Sequence, residues 1–245
     1  DTLYGEGGDD YIRGDYLSLP ESLAGDDTLY GDDAVCDPLV AGDDELFGDG
    51  GVDSIYGCYG EDEIEGGLGG DVIEGGPDHD EIYGEYWNAG STGAHADVIH
   101  GDSTNCQSTD AWDEVYGNAG DDIITGCGGH DKLYGGDGVD TINGNRGNDT
   151  IEGGEGGTDD DTIDLSGLSG PVTVTYTGDE AGTITDGTDT LIFSEIEEFD
   201  DSAGDDLFDL SARTDDNSYI YLSGGGDDTI IGGTGADDLR GGDGN

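Results

Sequence analysis

Positive charge is what this sequence most lacks. Lys and Arg number 5 in 245 residues, against 62 Asp and Glu, so the formal net charge is -57. A surface this poor in bases cannot neutralise a phosphate backbone, which excludes nucleic acid as a partner. An anionic membrane face is disfavoured for the same reason. Long apolar runs are missing as well: stretches such as Leu191-Ile192-Phe193 are far too short to span a bilayer, so no membrane insertion is expected. No secretory signal stands at the amino terminus, and Asp1 is not expected to be the start of the gene product. Only 31% of the residues are hydrophobic. That composition cannot offset chain entropy by apolar burial, and without cations the chain is expected to be unfolded.

What the sequence has instead is glycine, 51 residues of it, arranged in a repeat. From Gly48 to Glu74 three nonapeptides follow one another in the register G-G-x-G-x-D-x-U-x, where U is a large aliphatic residue. The register returns from Gly117 to Glu152 and from Gly232 to Arg240. A six-residue glycine turn and a three-residue strand make half a coil, so two motifs return the chain to its start about 4.8 Å along the axis. Glycines allow the positive-φ turns and leave carbonyls open to an ion. The sixth position is held by Asp10, Asp27, Asp44, Asp53, Asp62, Asp71, Asp80, Asp97, Asp113, Asp122, Asp131, Asp140, Asp149, Asp161, Asp206, Asp228 and Asp237, each with an apolar residue two places on, from Ile12 to Leu239. Strand alternation turns those apolar residues inward, as two thin ladders. Turns made of carboxylates and carbonyls suit a hard divalent ion, calcium above all, and these aspartates are its expected ligands, each ion shared between adjacent coils. Folding is then coupled to metal. Acid is expected to act like chelation, through carboxylates whose pKa values ligation depresses.

This register resembles the repeats-in-toxin (RTX) family of secreted bacterial proteins over most of residues 1–164 and 204–245. The resemblance implies an all-β fold, a right-handed parallel β-roll or β-helix solenoid with multiple calcium ions in the turns. It also implies secretion unfolded and folding outside the cell, in the extracellular medium or at the cell surface.

Three regions are expected: a roll with inserted loops over 1–164, wider irregular coils over 165–203, and a resumed roll over 204–245. Extra residues enter before Asp27, Asp44, Asp97, Asp113 and Asp161, all in turns, where solenoids tolerate them. Calcium sites there are expected to be altered or missing. The insertions expose a second period of about 70 residues: Gly14-Asp15-Tyr16 matches Gly84-Glu85-Tyr86, Gly31-Asp32 matches Gly101-Asp102, Cys36 matches Cys106, and Cys58 matches Cys127 one residue off. Half-coils alternate sides, so the turns at Gly31 and Gly57 are neighbours on one side. Cys36 is therefore expected to pair with Cys58 and Cys106 with Cys127, which suits an oxidising compartment. Between 165 and 203 the segments Val172-Thr173-Val174-Thr175-Tyr176, Thr183-Ile184-Thr185 and Leu191-Ile192-Phe193 read as strands.

No catalytic motif emerges. His79, His95, His100 and His130 lack an H-E-x-x-H helix and read as solvated residues, no G-x-S-x-G elbow is present, and the G-x-G fragments open turns rather than a βαβ unit. Tyr16, Tyr86, Trp87 and Trp112 sit in or beside the inserted loops, where an exposed cluster would mark a lateral contact. The expected function is a calcium-dependent extracellular structural or adhesive solenoid, not an enzyme. The alternative is a region that assists secretion and folding of a larger enzyme or toxin. Gly241 to Asn245 hold positions one to five of a motif and Asp1 to Tyr4 hold positions six to nine, so copies are expected to stack head to tail. Electron microscopy in calcium should then show fibres that dissolve in chelator; dispersed particles with native ends would contradict the stacking.

Overall fold

The computed structural model describes residues 1–15, 24–85, 95–102, 106, 111–154, 160–168, 170–200, 204–214, 219–221, 225–234 and 236–241. Tyr16, Tyr86 and Trp87 lie outside them, as do the last four residues of the motif that ends the sequence. Among the described residues all regular structure is strand, and the chain is a parallel β-solenoid of about 8 turns. No helix among them is long and apolar enough to cross a membrane.

Positions seven to nine of each motif form the strands, as in Ser54–Tyr56, Val72–Glu74 and Glu81–Tyr83. Successive strands alternate between a nine-stranded and a twelve-stranded sheet. The parallel register is set by the inward residue at position eight. Leu29 lies opposite Ile55 and Ile55 opposite Ile73 in the first sheet. In the second sheet Leu46 faces Ile64 and Ile64 faces Ile82. These side chains are fully buried, as are Ile99, Ile124, Leu133 and Ile142. Removing each from water contributes up to about 1.5–3 kcal/mol. Because each strand of the roll offers one such residue, the interior there is two columns wide.

Tyrosines at position nine stack outside the same strands. Tyr4, Tyr30 and Tyr56 form one column at 5.1 and 4.9 Å between rings, and Tyr83, Tyr116 and Tyr134 a second at 4.9 and 4.7 Å. The spacing is that of neighbouring strands. Both expected disulfides are present, Cys36 to Cys58 and Cys106 to Cys127, with Cα atoms 5.1 and 4.9 Å apart. Each ties one coil to the next on the same side of the solenoid.

Where wider coils are expected, the structure has a different device. Thr173–Tyr176, Ala181–Thr185 and Thr190–Ser194 form an antiparallel meander inside the twelve-stranded sheet. The third of these strands pairs in parallel with Thr150–Glu152 and the first with Leu207–Asp209, so the sheet runs through without a break. The second turn of the meander carries its own polar fastening. Asp186 Oδ1 accepts from the amides of Thr188 and Asp189 at 2.8 and 2.9 Å, and Gly187 adopts φ 89°. Direction reverses here because short polar turns replace the six-residue glycine turn that a parallel return needs. The interior enlarges at the same place: Tyr176, Phe193, Phe199 and Phe208 meet edge to face at 5.2 to 6.1 Å between rings.

Candidate metal sites in the turns

The turns between strands form two rows, one on each side of the solenoid. Within a regular turn the second and fourth positions carry left-handed φ, as at Gly67 (110°) and Gly69 (128°). A Cβ on Gly67 would strike the Asp49 carbonyl, and one on Gly69 the Gly51 carbonyl, both from the preceding coil. Main chain thus passes over main chain, with oxygen atoms between. At position one the demand is for space. A Cβ on Gly48 would stand 2.5 Å from both Asp53 Oδ2 and the Gly66 carbonyl oxygen, and one on Gly117 2.5 and 2.6 Å from Asp122 Oδ2 and the Gly135 oxygen.

Carboxylates at position six link these turns into ladders. On one side the amides of Asp10, Asp44, Asp62, Asp80, Asp113 and Asp131 donate in turn to Oδ1 of Asp44, Asp62, Asp80, Asp113, Asp131 and Asp149, at 2.8 to 3.0 Å. On the other side Asp27, Asp53, Asp71, Asp97, Asp122 and Asp140 donate to Asp53, Asp71, Asp97, Asp122, Asp140 and Asp161, at 2.7 to 2.8 Å. The insertions before Asp44, Asp97, Asp113 and Asp161 leave this geometry unchanged. Beyond the meander the pattern resumes, with Val172 donating to Asp206 and Asp206 to Asp228 at 2.6 and 3.0 Å. Among the described residues Asp237 joins neither ladder; it immediately precedes Asp238–Arg240, which pairs with Tyr219–Tyr221 in a separate two-stranded sheet.

One further ladder member was not anticipated. The Asp161 amide donates to Glu197 Oε2 at 2.9 Å. Glu197 stands two residues before Phe199, which is buried opposite Ile163. The signal was present as an acid two places before an inward apolar residue, with Glu replacing Asp and no glycines around it.

The second oxygen of these carboxylates distinguishes a structural hydrogen bond from a ligand site. In Asp44, Asp53, Asp62, Asp71, Asp80, Asp97, Asp122, Asp140 and Asp149, Oδ2 is buried and has no hydrogen-bond partner. Among the described residues no three His, Cys, Asp or Glu side chains converge, so a cation here must draw on carbonyl oxygens too. The glycine turns supply them. This donor set fits a calcium-type ion, which takes about six to eight oxygens, and does not fit one that needs nitrogen or sulfur.

Burial pushes the Asp44 carboxyl up to about 6, those of Asp53, Asp62, Asp122, Asp140 and Asp149 up to about 7, and those of Asp71 and Asp97 up to about 8. Asp80 is raised well above its ordinary value for the same reason. The backbone hydrogen bond to Oδ1 lowers each of these, and neighbouring aspartates raise them again. Left to the protein alone, the shift is therefore the reverse of the depression expected from ligation.

The histidines are less solvated than the sequence suggests. His79 stacks on Trp112 at 3.6 Å, His95 and His100 are half-buried, and His130 is exposed. The described residues form a structural solenoid without catalytic features.

A parallel solenoid with carboxylates and carbonyls in every turn is the architecture of a calcium-binding repeat. The family model for the RTX calcium-binding nonapeptide repeat, four copies long, matches residues 1–15, 22–34, 41–58, 59–85, 108–142, 125–157, 134–167 and 222–245, more than half of the chain. The chain belongs to this family. No curated protein matches it.

Raised carboxyl pKa values mean that, without a cation, the folded chain holds more protons than the unfolded chain between pH ~4 and about 8. Stability then falls as pH rises through that window. In chelator, far-ultraviolet circular dichroism should show more β-structure at pH 5 than at pH 8. In excess calcium, protons compete for the ligands and the order should invert. More β-structure at pH 8 than at pH 5 in chelator would contradict this assignment.

Proposed function

We propose that the chain serves outside the cell as a calcium-rigidified structural or adhesive rod, its position-six aspartates acting as ligands in the turns of 1–164 and 204–245, with 165–203 connecting the two. The observation that carries this reading is the pair of carboxylate ladders. Each rung fixes one oxygen on the backbone of the preceding coil, and in most of them the other is buried without a hydrogen-bond partner. Bound calcium supplies the positive charge that these oxygens need. The protein's part is to hold them at strand spacing, so that one ion contacts two coils and fixes their separation. A charge of -57 then becomes a reason for the rod to form only where calcium is abundant.

Two disulfides between neighbouring coils suit a durable element in an oxidising medium. They also favour a lasting surface component over a region needed only during export. Half-buried tyrosine columns along the outside of both sheets give such a rod aromatic strips for lateral contact.

Asp62→Ala tests the ligand role. It should raise the calcium midpoint of folding, followed by circular dichroism, by on the order of tenfold, because an anionic ligand is lost from a site between two coils. A midpoint equal to that of the unaltered chain would remove Asp62 from the ligand set.

A further inference from the structure

Position two of the motif separates the turns into two kinds. In the regular turns it is mostly Gly, as at Gly67, Gly76 and Gly136, or Asn or Cys. In four of the five turns that carry inserted residues it is an acid: Asp15, Asp32, Glu85 and Asp102. The fifth has Gly154. Glu6 and Asp49 are acids in regular turns, but Glu6 is exposed and Asp49 is paired with a guanidinium, Arg13 Nε lying 2.9 Å from its Oδ2.

Asp32 and Glu85 are different. They are 0% and 1% exposed. Asp32 Oδ2 accepts from the Tyr59 amide at 3.2 Å, while Oδ1 is buried with no hydrogen-bond partner. Among the described residues no Lys, Arg or His lies within ion-pair distance of it. Glu85 Oε1 accepts from the His95 amide at 3.3 Å and lies 3.4 Å from His95 Nδ1, while Oε2 is buried with no partner. Both acids sit among the position-six carboxylates. The charge of Asp32 is felt by Asp44 and Asp62, and that of Glu85 by Asp71, Asp97 and Asp122. A Cβ on the preceding glycine would meet a position-six Oδ2 and a carbonyl in each case: Asp44 and Gly57 beside Gly31, Asp97 and Gly117 beside Gly84. A buried carboxylate oxygen left unmet among other carboxylates is strongly unfavourable without a cation.

We propose that the turns opening at Gly31 and Gly84 hold divalent cations of a second kind, in which Asp32 or Glu85 joins the position-six carboxylate, Asp44 or Asp97, and neighbouring carbonyls. The interrupted turns are thus the strongest sites in the array, the reverse of what their broken glycine pattern suggests. A second anionic ligand raises affinity for a hard cation, so these turns fill first and pin the coils that carry the inserted loops. This proposal rests on the position-six aspartates being ligands as well.

The test is calcium binding by the full chain, followed by isothermal titration, with bound calcium counted by elemental analysis. Asp32→Asn and Glu85→Gln should each remove about one ion from the tightest class, or weaken it by on the order of tenfold. Asp62→Asn should remove an ion from the weaker class. Unchanged tight binding in Asp32→Asn and Glu85→Gln, with the loss in Asp62→Asn intact, overturns this proposal and leaves the position-six reading standing. No calcium bound by the unaltered chain overturns both. Should either variant fail to fold in saturating calcium, crystals of the unaltered chain decide through long-wavelength anomalous scattering. Calcium peaks on Asp32 Oδ1 and Glu85 Oε2 support the proposal; peaks confined to position-six carboxylates overturn it.

Discussion

A carboxylate held out of water stays ionised only where something positive or a full set of donors faces it. Here that condition applies to one residue in every half-coil. In both ladders the position-six aspartates from Asp44 to Asp161 place one oxygen on a backbone amide, and most have a second oxygen with no hydrogen-bond partner, in a chain with 5 basic side chains for 62 acids. The protein cannot meet the demand from its own cations. Arg13 is spent on a different buried acid, Asp49 at position two. Everything else in the fold is arranged around the remaining sites.

The interior shows how far the fold leans on those turns. One aliphatic residue per strand builds two columns, with Ile55 on Ile73 and Ile64 on Ile82. Apolar burial of that width offers little margin over the entropy of ordering turns rich in glycine. Cross-links between coils supply the difference in three forms: strand pairing, the two disulfides, and the carboxylate ladders. Of these the ladders are the ones whose strength depends on the cations of the medium. The meander at Thr173–Ser194 marks the contrast. Where the glycine turns stop, four large aromatic side chains take over the interior.

Much of this was legible in the sequence because a repeat multiplies its own signal. Asp53 and Ile55 recur nine residues on as Asp62 and Ile64, which sets strand, inward face and turn at once. The same phase put Cys36 beside Cys58. The meander was less legible: alternation in Val172–Tyr176 and Leu191–Phe193 announces strands, but direction is decided by the short turns between them. Glu197 escaped because its motif lacks glycine. Asp32 and Glu85 stood out in the sequence only as matching positions of the duplication, since their burial depends on how the chain folds over them. The direction of the aspartate pKa shifts also needed the structure, because sequence reveals a ligand type and not its desolvation.

The central claim is that these ladders hold the solenoid together only when cations satisfy them. Small-angle scattering of the oxidised chain at neutral pH, first in calcium and then in excess chelator, tests it most directly. The account predicts a compact rod in calcium and an expanded coil in chelator, limited by the two disulfide loops and reversed when calcium is restored. A scattering profile that stays rod-like in excess chelator would contradict it.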